Sequence, residues 1–119
     1  MRTRFDEQLN VLNREMIQMG SMIEQAIEQV CEVLKTHDLE AARLLVARDN
    51  EIDRKERDIE ALCLRLILMQ QPVARDLRLI SSALKMITDM ERIGDQASDI
   101  AEIITMPVDG EVLEKPEHL

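Results

Sequence analysis

The sequence predicts an all-α protein, an antiparallel bundle of three long helices, and three observations carry that expectation. Glycine and proline number 3 each in 119 residues, and Phe5 is the only Phe, Tyr or Trp. A sheet protein needs more turn formers, aromatics and β-branched residues than that. Apolar residues recur at alternating spacings of four and three through most of the chain, which is the period of a helix seam. The pattern breaks at the short Thr36-His37 link and again just before Pro72, leaving three segments of similar length.

The first helix is expected over about 3–35. Phe5, Leu9, Leu12, Met16, Met19, Ile23, Ala26, Val30 and Val33 form its seam, and the spacing is that of a coiled coil. Gly20 interrupts it at a cost of about 1 kcal/mol relative to alanine, so a close helix contact or a slight bend is expected there. Lys35 suits the negative end of the helix. Asp38 is a good N-cap for a second helix over 38–70. That helix has the seam Leu45, Asp49, Ile52, Glu56, Ile59, Cys63, Leu66, with two acids where apolar residues belong.

Pro72 cannot continue a helix and is expected in the first turn of the third, over 72–105. The third helix carries two adjoining stripes. Leu79, Ala83, Met86, Met90, Ile93, Ala97, Ile100 and Ile104 are apolar throughout. The other runs Val73, Leu77, Ile80, Leu84, Ile87 and then turns to Glu91, Gly94 and Ser98. Such a helix touches two neighbours and has a wet end. The eight methionines read as core filler. Residues 107–119 read as a linker, with Pro116-Glu117 resembling the first turn of a further helix, as in half of a tandem protein.

Fifteen basic against 24 acidic side chains give a net charge of −9, which argues against binding nucleic-acid backbones. No apolar run is long enough to cross a membrane. Cys31 and Cys63 lie among Val, Leu and Ala and read as buried small hydrophobes in a reducing cytosol. Too few thiols and histidines are present for zinc, and His37 and His118 read as surface residues.

The candidate chemistry lies in acids spaced by four: Asp49 with Asp53, and Glu91 with Asp95 and Asp99. If the second and third helices reverse near residues 71 and 72, Asp49 falls within about one residue, roughly 1.5 Å, of the level of Asp95, and Asp53 of Glu91. Like charges at this spacing repel. A bound cation relieves them, and all-oxygen ligands favour magnesium, calcium, manganese or oxidised iron. A solvated acidic face is the other reading of the same residues. The Glu-x-x-His pairs of di-iron bundles are missing, as are a phosphate-cradling glycine loop, G-x-S-x-G and H-E-x-x-H.

Two strings, Gln70-Gln71-Pro72-Val73-Ala74-Arg75-Asp76-Leu77-Arg78 and Asp89-Met90-Glu91-Arg92-Ile93-Gly94-Asp95-Gln96-Ala97, closely resemble the PhoU family of bacterial phosphate-uptake regulators. Phe5-Asp6-x-x-Leu9 and Asp49-x-x-Ile52-Asp53 extend the resemblance over nearly all of the chain. It implies the first of two tandem three-helix bundles. It also implies a metal motif on Asp49 with Asp53 and Glu91 with Asp95, continued by Asp99, holding iron or another cation such as manganese or magnesium. It further implies a cytoplasmic, non-enzymatic and often dimeric negative regulator of the phosphate-starvation response. Its partners would be the ATPase of the phosphate ABC transporter and a sensor histidine kinase. In that setting Gly94 either lets an ion approach the helix or packs against a neighbour. Arg75 and Arg78 either face an acidic partner or are solvated. A metal-dependent enzyme or metal store using the same acids, and a PhoU-like module of a membrane transporter, are the competing functions.

Overall fold

In the computed structural model, which describes residues 3–106, three helices run up, down and up: α1 (Arg4–Thr36), α2 (Leu39–Gln70) and α3 (Ala74–Thr105). Each is about 50 Å long at 1.5 Å per residue, and each packs on both others. The caps explain where they begin. Thr3 Oγ1 accepts from the Asp6 N–H at 3.1 Å, while the Thr3 N–H donates to Asp6 Oδ2 at 3.2 Å, a reciprocal capping box. Asp38 Oδ1 accepts from the N–H groups of Glu40 and Ala41 at 3.0 and 3.2 Å, so Asp38 caps α2 as its sequence position predicts. Both reversals turn on one left-handed residue that is not glycine, His37 (φ 55°) and Gln71 (φ 45°). Pro72 is not in the first turn of α3 as expected. It precedes the extended N-cap Val73, because a left-handed Gln71 already closes α2 and α3 starts only at Ala74.

The core follows the expected seams. From α1, Leu12, Met19, Ile23, Ala26, Val30 and Val33 are buried, with Phe5, Leu9 and Met16 packed against them. From α2, Leu45, Ile52, Ile59, Cys63 and Leu66 are buried. In α3 the stripe with the polar interruption is the one turned inward. Ile80, Ile87, Gly94 and Ser98 are buried, whereas Leu79, Met86, Ile93 and Ile100 are exposed. A helix with two neighbours points its core-facing arc between them, so on the other stripe only Ala83 and Ala97 are buried, with Met90 and Ile104 packed partly against the core. Methionine likewise divides: Met19 is core filler, while Met69, Met86 and Met106 are exposed.

Two further expectations change. Cys31 is exposed, one position past the seam residue Val30, and only Cys63 is buried. Burial pushes the Cys63 thiol up to about 11, aided by Glu60, so it is an inert core group. Gly20 makes no close helix contact, since a Cβ there would have nothing within 4 Å. The helix runs through it without a break. Instead Gly20 lines a groove of about 510 Å³ between α1 and α3, walled by Met16, Ile17, Leu79 and Met86. Across the α1–α2 seam, Lys55 Nζ donates to Glu15 Oε1 and Gln18 Oε1, each at 2.8 Å. His118 and residues 107–119 lie outside the described residues.

Candidate metal centre

Asp49 and Glu56 occupy seam positions of α2, so the helix that buries Ile52 and Ile59 also turns these two acids toward α3. Asp53 follows one turn after Asp49. On α3, Glu91 and Asp95 sit one turn apart on the flank that faces α2, beside the buried Ile87, Gly94 and Ser98. Antiparallel packing brings the two sets to one level. Asp49, Asp53 and Asp95, all half-buried, each offer a carboxylate oxygen within 4.8 Å of the others. Oxygens on opposite sides of one hard cation are separated by twice a metal–oxygen bond of about 2.0 to 2.6 Å, so this spread fits a single ion.

The electrostatics describe a site short of positive charge. Asp49 is pushed up to about 6, chiefly by burial and then by the charges of Asp53 and Asp95. Glu91 is pushed up to about 8, first by sharing a hydrogen bond with Asp95, then by burial and by the charges of Asp95, Glu56 and Asp53. Glu56 is raised by burial and by Glu60 and Asp53, with only Arg57 pulling the other way. Among the described residues, the ion pairs are Arg43–Glu40, Lys55–Glu15 and Arg92–Asp89, and none reaches this cluster. Among the described residues, Asp49 Oδ1 is shut off from solvent and has no hydrogen-bond partner. The groups that raise its affinity for a proton, Asp53, Asp95 and Asp99, are carboxyls, which can donate only when protonated. A buried oxygen of this kind is costly unless a proton or a cation meets it.

Of the five acids singled out by spacing, three converge and Glu91 adjoins them through Asp95. Asp99 is exposed and acts on Asp49 only through its charge. Glu56 was missed as a member of the cluster, although its place in the apolar seam of α2 is the signal that marks it. For Gly94, packing accounts for the absence of a side chain. A Cβ would meet Ile23 Cδ1 and Ile52 Cδ1 at 3.2 Å and Ile52 Cγ2 at 3.3 Å, and the nearest atoms are methyl groups, not acids. On its other side Asp49 borders a crevice of about 290 Å³ lined by Gln25, Gln29, Arg48 and Glu51. Arg75 and Arg78 lie far from the acids, at the α2–α3 turn, and both are exposed.

The family profile named PhoU domain matches residues 16–104, from the middle of α1 to the end of α3. The chain belongs to the PhoU family. Among curated PhoU proteins it is 44% identical over 101 residues to the phosphate-specific transport system accessory protein PhoU homolog of Clostridium acetobutylicum. That alignment covers 84% of this chain and 46% of the relative. It is 38% identical over 96 residues to the homolog of Aquifex aeolicus, covering 81% and 43%. Against the Streptococcus pneumoniae homolog it is 29% identical over 119 residues, covering 100% and 55%. This PhoU-family chain therefore spans about half the length of the curated relatives it matches. No described helix is long and apolar enough to cross a membrane.

Proposed function

We propose that this chain is a regulatory adaptor of bacterial phosphate uptake whose acid cluster binds a hard cation. The match to accessory proteins of the phosphate-specific transport system supports the first half of that reading. The observation that carries the second half is the buried Asp49 Oδ1, without a hydrogen-bond partner among the described residues, beside Asp53 and Asp95. Asp49, Asp53 and Asp95 would hold the ion, with Glu91 and Glu56 adding charge around it. Iron, manganese or magnesium suits such oxygens. The ion would neutralise the repulsion between α2 and α3 and so couple cation supply to the rigidity of the hairpin. The adaptor would act beside the phosphate ABC transporter and its ATPase, pass its state to a sensor histidine kinase, and work in the cytoplasm as a dimer. It would do so without catalysis of its own.

The test is metal content and calorimetric titration of the purified protein, wild type beside Glu91→Gln/Asp95→Asn. Stoichiometric metal that the double variant loses supports the site. A metal-free wild type together with a more heat-stable double variant overturns it, and leaves the acids as a solvated face. Redox or hydrolytic turnover by the metal-loaded protein, abolished by Asp95→Asn, is the result that would replace the adaptor with an enzyme.

A further inference from the structure

We infer that the tip of the α2–α3 hairpin is a docking surface for a protein partner, one that presents an apolar recess bordered by carboxylates. The inference rests on the adaptor reading above and names the part of the chain that makes the contact. Leu68, Met69 and Val73 are the most exposed large apolar residues described, at 75%, 75% and 66%. All three lie within a few residues of one turn, and Arg65, Arg75 and Arg78 border them, all exposed.

Charge separates this end from the rest. Between residues 61 and 88 the chain has four basic side chains and a single acid, Asp76, in a protein of net charge −9. Methionine and arginine are among the residues enriched at protein interfaces, and guanidinium groups pair with carboxylates in a planar fork. The tip is also held in shape. Left-handed Gln71, the fixed ring of Pro72 and extended Val73 form a tight link, and Gln70 Nε2 donates to Gln8 Oε1 of α1 at 3.5 Å. A tip ordered beforehand loses little freedom on binding. A protein rather than a lipid surface suits it, because the first turn of α1 brings exposed Asp6 and Glu7 to the same end. An anionic bilayer repels those two acids, whereas a shaped recess can avoid them.

The experiment measures binding of the chain to the purified cognate phosphate transporter in detergent. It compares wild type, Leu68→Ser/Met69→Ser and Arg75→Glu/Arg78→Glu, with folding checked by circular dichroism. Acids in the first turn of α3 suit the helix dipole, so the arginine variant keeps its helix. The expected result is a loss of at least about tenfold in affinity for each variant. Added salt should weaken the wild type more than the arginine variant. Wild-type binding that both variants match overturns the docking surface and leaves the adaptor reading standing. Equal binding to protein-free vesicles rich in phosphatidylglycerol overturns it in favour of lipid. A wild type that does not bind the transporter at all overturns the adaptor reading, and this partner with it.

Discussion

Asp49 of α2 and Asp95 of α3 meet across the hairpin with carboxylate oxygens within 4.8 Å, although 45 residues separate them in sequence. No described lysine or arginine pairs with either. Their proximity is imposed by the apolar seams on both sides. The core holds Ile52 and Ile87 in place, and the acids between them must tolerate one another.

That tolerance should show as a pH dependence opposite to ordinary acid denaturation. Glu91 (ordinarily 4.5, here about 8) and Asp49 (ordinarily 3.8, here about 6) bind protons more tightly folded than unfolded. Between about pH 4 and pH 8 the folded metal-free protein therefore holds more protons, and its stability falls as pH rises. Thermal melts of metal-free protein across this range check the slope. Glu91→Gln should flatten it above pH 6. Because a cation displaces these protons, saturating metal should reverse the trend, with affinity rising toward pH 8.

The two helical glycines should respond in opposite directions. Gly20→Ala adds a methyl where nothing lies within 4 Å, and gains about 0.5 to 1 kcal/mol of helix preference. Gly94→Val forces Ile23 and Ile52 aside in the core and should cost about 1 to 3 kcal/mol. Urea unfolding of the two variants, fitted with a common slope, measures both.

Ile59 and Ile80 are fully buried, on α2 and α3 respectively. Replacing either by alanine leaves a cavity, at a cost of about 2 to 5 kcal/mol. Exposed Leu79, one residue before Ile80, should lose under about 1 kcal/mol when changed to alanine. Chemical denaturation distinguishes the inward stripe of α3 from the outward one.

Asp38→Ala removes the acceptor for the Glu40 and Ala41 N–H groups and should cost about 1 kcal/mol. Amide hydrogen exchange at residues 39–42 should speed up in the variant, while exchange at Ile59 follows only the global loss.

Most of the fold was legible in the residues. The α1 seam and the Asp38 cap could be placed because a repeating apolar step and a single capping oxygen are local signals. The two acids in the α2 seam also announced themselves, since a carboxylate in an apolar register has to face something. Other features depended on which helix covers which flank. Both stripes of α3 are helical in period, and that period alone does not decide that Ile80 goes inward and Leu79 outward. Cys31 follows from the same geometry, one step off the seam. Asp99 stays at the edge of the cluster because of how α2 and α3 lie against each other, which spacing along one helix does not specify.

The tight contact of Gly94 with Ile23 and Ile52 has a consequence for helix register. α3 carries two apolar faces one residue apart, so a rotation of about 100° would bring Leu79, Met86 and Ile100 into the places of Ile80, Ile87 and Ala101. Hydrophobicity alone separates these two orientations poorly. In the rotated one, however, Ile93 would land where Gly94 lies, against methyl groups that would stand only 3.2 Å from a Cβ placed there. The missing side chain thus selects which way α3 is turned, and with it that Glu91 and Asp95, rather than Met90 and Gly94, look across at Asp49.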